Sequence, residues 1–516
     1  MYTLTSNPST IPAAPTAAGL APWRRHLLAA IEVLEWLLVA GVGVPALFAE
    51  QVAPGTLRVG LSCLLIPSAL RLLLTGSFAT PTLAFWPLLV LVILSGITVY
   101  VTPSWPHTWP ELVRLLWGIA LCLALINWCN PRHTEPAAPS ARRIPSRLVW
   151  ATVLFFGVGL ALTTVGLLVM GPTHKFAWLD GWLARLPQLP LAGTNGFNPN
   201  RVAGVALLPA PLALALTLGR LRHHRPSRVD WVRWLLTKPL VAALALFFSG
   251  AVILTQSRAA WLALACAGLV ILSQLGRRGW LLLLLLAVAG ATVVAAMGPS
   301  RLLEQVTVYD ARQISADALI QDRNLAGRLL LWQRALHGMA DAPLTGMGLA
   351  AFEAVSQQPY PQLAGYQPDP DMSHVHNMIL QVGVDFGTPG LIAFVGLLGM
   401  MGWRLWRLLR HSHRPSALHT WSLGLLAAFV AYLVYSLLDA ITLGARPSMV
   451  VWWLFGLALG AGEWGQSMPQ HSKRRQRRHT QPAAGVLPRL ESAPAASNQD
   501  NWDARAWAAT GPAQDE

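Results

Sequence analysis

Two histidines and an asparagine stand together in "SHVHN" (373–377), just ahead of a long apolar run. Imidazole changes its protonation near neutral pH, so a histidine placed there can take a proton from a hydroxyl. His374 and His376 are two residues apart. On an extended segment they share a face, whereas on a helix they point nearly opposite ways. A two-histidine metal site therefore needs an extended segment, and the neighbouring acidic residues that would complete it are Asp369 and Asp371, in Pro-rich surroundings. The next residues, "NMILQVGV" (377–384), begin a helical run, which puts His376 at a helix N-terminus. The helix dipole disfavours the imidazolium there and leaves a neutral imidazole, a competent general base. The alternative is an interfacial histidine that only caps a helix. Asn377 and Gln381, one turn apart, either orient His376, bind substrate or simply pack.

Three arginines raise a second question. Arg201 follows "GFNPN" (196–200) and begins an apolar run. Arg258 sits in "TQSRAAW" (255–261), in a hairpin too short to form a soluble loop, and Arg328 lies one turn before Trp332. A guanidinium offers a planar fork of donors that matches phosphate bidentately and keeps its charge. Such a group suits a phosphate or pyrophosphate on a lipid headgroup. The bland alternative is snorkelling, with an apolar stem and a wet head. Phosphate-loop motifs and Gly-rich nucleotide fingerprints are absent; Gly346 and Gly348 read as turn residues.

The elements that must position these side chains follow from composition. The chain is 54% hydrophobic and 12% charged, too apolar for a soluble protein of 516 residues. Apolar runs of membrane length recur throughout and predict about twelve spans. They lie near 27–48, 57–75, 83–101, 111–129, 148–170, 201–219, 239–255, 259–276, 279–297, 387–402, 421–441 and 449–463. The predicted fold is all-α, a polytopic membrane helix bundle. With both termini in the cytoplasm, the inside loops collect Arg142, Arg143 and Arg147; Arg220, Arg222, Arg225 and Arg228; Arg277 and Arg278; and Arg404, Arg407, Arg410 and Arg414. The short outside loops at 49–56 and 102–110 hold no Lys or Arg. The formal net charge of +15 therefore reads as the positive-inside bias, and nucleic acid is not an expected partner. Arg201, Arg258 and Arg328 fall on the side that should lack arginine, which favours a function for them.

The domains expected are a cytoplasmic tail (1–26), a transmembrane domain (27–463) and a basic, Pro/Ala/Gln-rich tail (464–516) beginning near "KRRQRR" (473–478). The first apolar run is too long for a signal peptide and lacks a clean cleavage site. Two outside segments are long, about 171–200 and 298–386. In the second, "NLAGRLLLWQRALHGMA" (324–340) puts Leu325, Leu329, Trp332, Leu336 and Met339 on one helical stripe, and "DAPLTGMG" breaks the helix at Pro343, Gly346 and Gly348. This segment should be a helical cap on the outer face. Cys63, Cys122, Cys129 and Cys266 lie in apolar runs as packing residues. No internal repeat and no pair of interrupted half-helices is visible.

Taken together, "NPNRVAG" (198–204), "TQSRAAW" (255–261), "GRLLLWQRAL" with "APLTGMGLAAF" (327–352) and "HVHNMILQVGVDFGTPG" (374–390) resemble the O-antigen ligase and O-antigen polymerase superfamily. The resemblance spans 27–463 and is strongest between 198 and 390. It implies a GT-C-like inner-membrane glycosyltransferase with a large periplasmic loop. Its donor would be undecaprenyl-pyrophosphate-linked O-antigen and its acceptor the outer-core sugar of lipid A-core, met in the periplasm. It further implies inversion at the anomeric carbon without metal or cofactor. By motif position, the essential arginines of the family fall on Arg258 and Arg328 and its histidine on His376; Arg201 matches more loosely, and Asp439 in "YSLLDA" (435–440) less securely. Where relatives carry Glu before Gly, this chain has Asp385 and Gly387, which leaves the role of that carboxylate open.

The resemblance and the residues describe one mechanism. His376 deprotonates the acceptor hydroxyl, while Arg258 and Arg328 stabilise the departing pyrophosphate. Arg201, Asn377, Gln381, His374 and Asp439 would bind substrate around them. A polymerase or a protein O-oligosaccharyltransferase would need the same groups. A lipid-linked sugar transporter would instead need mid-span charges and broken helices.

Overall fold

The computed structural model describes residues 22–38, 56–76, 82–129, 144, 146–171, 176–187, 189, 197–219, 228–297, 325–352, 374–412 and 416–466. All of them belong to the compact unit Met1–Met468; the second unit, Pro469–Glu516, lies outside the described residues, as do most of both expected tails. Fifteen helices occur among the described residues. They are α1 (Pro22–Trp36), α2 (Thr56–Thr75), α3 (Phe85–Val101), α4 (Trp105–Trp128) and α5 (Ser146–Val169). Next come α6 (Ala177–Leu183), α7 (Pro199–Leu207), α8 (Pro209–Leu218), α9 (Arg228–Leu254) and α10 (Arg258–Ser273). The last are α11 (Arg277–Met297), α12 (Leu325–Asp341), α13 (Met378–His411), α14 (Ala417–Leu438) and α15 (Ser448–Gln466). The only strand-like pairing among the described residues is a bridge between Met170 and Phe197.

Every predicted apolar run carries helix. Among the described residues, five helical segments are long and apolar enough to cross a membrane: α4, α5, α7 with α8 taken together, α13 and α14. α3, α10 and parts of α2, α9 and α15 are shorter apolar helices. Their outward faces leave large apolar side chains uncovered, such as Leu73, Tyr100, Leu246 and Leu285. Water would make such a surface a liability, whereas lipid is its natural solvent.

The core forms where α4 meets α15 and where α14 meets α8 and α10. Trp117, Trp421, Trp452 and Trp453 are fully buried there. Without a hydrophobic drive between helices in lipid, close approach has to supply the packing, and small residues permit it. Gly118 shows how tight the fit is, because a Cβ there would stand 2.1 Å from the Trp452 ring. Gly118→Val should therefore overpack this contact and cost about 1–3 kcal/mol; a lowered melting temperature in detergent would register it, and an unchanged one would mean the helices can part.

Several boundaries differ from the sequence reading. The helix of the first run begins at Pro22, inside the expected tail. α13 starts well before 387 and continues to His411, so Arg404 is not in a loop: it is buried and donates to Thr82 Oγ1 at 2.9 Å. The last expected charged loop is therefore mostly helix, because a helix does not end where its apolar run does. Two helical runs are also interrupted, contrary to expectation. Pro209 divides α7 from α8, and Gly387 breaks α13 with φ 67° and ψ −170°, a conformation that suits glycine. Arg71, inside an apolar run, is buried against Glu35 at 2.9 Å, while Arg147 meets Glu32 at 2.7 Å. These paired charges join α1, α2 and α5.

Candidate functional site

α14 ends at Leu438, and Asp439 follows it as C-cap in extended conformation, outside the helix and close to the segment ahead of α13. That segment, 374–377, is not helical. His374 and His376 consequently lie side by side, their rings 4.2 Å apart. Asp439 Oδ1 is 2.9 Å from His376 Nδ1 and 3.6 Å from His374 Nε2. All three residues are buried. The first distance is a hydrogen bond; the second is too long for one.

Electrostatics fixes the roles within this trio. Burial alone would raise the Asp439 carboxyl, but the two histidine rings beside it, His374 and His376, outweigh burial and hold the group far below the ordinary carboxylate range. An ionised carboxylate only accepts, so His376 Nδ1 donates to it, which leaves Nε2 as the nitrogen that accepts when the ring is neutral. Burial and the neighbouring His376 push His374 below the ordinary histidine range, against the pull of Asp439. His374 is therefore uncharged at neutral pH. Asp439 Oδ1 also accepts from the Ala440 amide at 2.8 Å, while Oδ2 is buried without a hydrogen-bond partner among the described residues.

The local sequence explains why His376 sits as it does. Asn377, not His376, is the N-cap of α13: its Oδ1 accepts from the amides of Ile379 and Leu380 at 3.0 and 3.1 Å. Its Nδ2 donates to the Leu437 carbonyl at 3.2 Å, tying α13 to the end of α14. Gln381 accepts from the Val375 amide at 2.8 Å and donates to Asp385 at 3.0 Å. Both amides are thus spent on holding the histidine segment, and Gln381 is fully buried. His376 itself has φ 55°, a left-handed conformation that costs a non-Gly residue of order 1–3 kcal/mol and collects at functional sites. Asp385 belongs to this framework, buried and engaged by Gln381 and the Ala350 backbone.

Arg328 joins the same cluster. Its Nη1 donates to the carbonyl of Leu438, the residue before Asp439. The helix expected over 324–340 is α12, and its expected stripe packs only in part. Trp332 and Met339 lie against a cluster of Leu331, Ala335, Val375 and Val384, while Leu329 and Leu336 are exposed. Arg328, Leu331 and Ala335 share one side at helical spacing, so the arginine turns inward with the packed face. The break after α12 docks onto the break in α13: a Cβ at Gly387 would stand 2.8 Å from Gly346 N. Pro343, Gly346 and Gly348 thus do form the turn, with positive φ at both glycines.

Arg201 lies on the first turn of α7 with its side chain exposed, and its charge acts on His374. Arg258 stands apart. It begins α10, which packs along α14, and its side chain is exposed without a hydrogen bond or ion pair among the described residues. The hairpin before it is pinned by Gln256, which accepts from the Phe176 amide and donates to Asp180, both at 2.8 Å.

Tyr435 carried no motif, yet it belongs here. It is buried one turn before Asp439, donates its hydroxyl to the Asn200 carbonyl at 2.7 Å, and feels the charges of Asp439, Arg328 and Arg201. Its only signal was an i, i+4 spacing from Asp439. Asp369 and Asp371 lie outside the described residues. Among the described residues, the set that could hold a metal ion is His374, His376 and Asp439, whose ligand atoms lie within 4.8 Å of one another.

No curated protein matches the chain. Residues 242–395 match the family model described as O-antigen ligase. That stretch carries Arg258, Arg328, His374 and His376.

Proposed function

We propose that the protein is an O-antigen ligase of the bacterial inner membrane. It would transfer O-antigen polysaccharide from undecaprenyl pyrophosphate to the outer-core sugar of lipid A-core, on the periplasmic side. Both termini would face the cytoplasm. The observation that carries the reading is the hydrogen bond from His376 to the buried carboxylate of Asp439, beside Arg328.

A sugar hydroxyl is a poor nucleophile. His376 Nε2 takes its proton as the oxygen attacks the anomeric carbon, and Asp439 stabilises the imidazolium that forms. The glycosidic bond to the phosphate breaks on the opposite face, so the anomeric configuration inverts. The pyrophosphate leaves with its charge balanced by Arg328, with Arg258 and Arg201 completing the electropositive side. Three cations then do what a divalent metal does in other transferases. His374 stays uncharged and backs the Asp439 carboxylate.

The test is transfer by the purified full-length protein in detergent. Undecaprenyl-pyrophosphate-linked glycan is the donor and rough lipopolysaccharide the acceptor. Product is expected at an undiminished rate with a chelator present; loss of activity that added divalent cation restores would make His374, His376 and Asp439 a metal site instead. Chain growth on a second lipid-linked glycan, with no product on lipopolysaccharide, would make the protein a polymerase.

A further inference from the structure

A carboxylate not used above stands at the same end of the bundle. Glu111 lies on the second turn of α4, with its side chain half-buried. Thr442, in the loop that begins with Asp439, donates its hydroxyl to Glu111 Oε2 at 3.1 Å. Arg114, almost one turn further along α4, donates Nε to the Gly444 carbonyl at 2.7 Å. α4 therefore grips this loop at two points, and the approach is close: a Cβ at Gly444 would stand 2.2 Å from the Glu111 carbonyl oxygen. Oε1 of Glu111 has no hydrogen-bond partner among the described residues. Thr442 follows Asp439 by three residues, and the charge of Arg201 acts on Glu111 and on His374 alike, so the carboxylate stands at the histidine end of the bundle.

Chemistry decides what such a group can face. A carboxylate accepts hydrogen bonds and repels a pyrophosphate. A sugar offers several neutral hydroxyl donors and no charge to repel. The loop that Glu111 holds through Thr442 carries Asp439, the partner of the base, and the acceptor hydroxyl must come to that base. We propose that Glu111 binds the acceptor sugar, its open oxygen receiving hydroxyls next to the one that His376 deprotonates, and thereby selects the accepting residue. This rests on the sugar-transferase reading of the site. The rival is a purely structural Glu111 that only holds Thr442 and the loop.

Glu111→Gln separates the two, because the amide oxygen still accepts from Thr442 while the charge is gone. With the full-length protein, saturating donor and varied rough lipopolysaccharide, this variant should raise the acceptor KM about tenfold or more, the loss expected for a charge-assisted hydrogen bond. The donor KM and the melting temperature should not change. Thr442→Val, which weakens the grip and leaves the carboxylate, should raise the acceptor KM less. An unchanged acceptor KM in Glu111→Gln would overturn the proposal. So would parallel losses in both variants with a lowered melting temperature. If the wild-type protein transferred nothing, calorimetric titration with deacylated core oligosaccharide would still decide: binding weakened by Glu111→Gln supports the acceptor site even as the transferase reading fails. Equal binding by both proteins, or none, overturns it.

Discussion

Replacing His376 with Asn should reduce transfer by roughly 10²–10⁴-fold, the usual contribution of a positioned general base. Asparagine is the substitution of choice because of the backbone. His376 has φ 55°, and Asn tolerates that region far better than Ala does. The helix start does not depend on the imidazole, since Asn377 supplies the cap. The variant should therefore insert and melt like wild type while losing catalysis. Near-normal transfer would remove the base from the mechanism and leave the histidine as a packing group. Asp439→Asn should give a smaller loss of the same kind. The amide can still occupy the place of Oδ1, but it stabilises an imidazolium less well.

The second large effect is expected at Arg328. Arg328→Ala should lower kcat about 10²–10³-fold, as removal of one donor to a developing anion does elsewhere. The residue also holds the Leu438 carbonyl, so part of any loss could come from a shifted end of α14. Arg328→Lys distinguishes the two contributions. Lysine keeps the charge and one donor but loses the bidentate fork. Partial activity in Lys with little in Ala would assign the effect to charge at the leaving group. Equal inactivity of both variants, with an unchanged melting temperature, would show that the fork geometry is what matters. Full activity in Ala would exclude Arg328 from pyrophosphate binding.

The interruptions bear on the transporter alternative. Broken helices were its expected mark, and α13 is broken at Gly387. That break, however, receives the turn after α12 and so fixes the histidine segment. His374, His376, Asp439 and Arg328 gather where α14 ends and α13 begins, as a reaction site requires.

How much of this was legible in the sequence depends on distance along the chain. The apolar runs, the helix over α12, the turn at Pro343–Gly348 and the helical start beside Asn377 all follow from local rules, because periodicity and capping act within a turn or two. Which leucines of α12 pack did not follow, since the pattern alone could not tell Leu329 from Leu331. Asn377 and Gln381 could be marked as important, but not as the framework they are, because their partners are backbone groups revealed only when the chain folds.

By itself, the sequence determined the solvent and the chemical inventory: membrane-length apolar runs, arginines suited to phosphate and a histidine ahead of a helix. Only the tertiary structure decided that Asp439, rather than Asp369 or Asp371, partners the histidines, that Arg328 turns inward beside it, that Tyr435 bonds the Asn200 carbonyl, and that Thr442 bonds Glu111. The reason is physical. Asp439 and His376 are 63 residues apart in the chain, and what joins them is the packing of α14 against α13. A contact of that range leaves no periodicity in either segment.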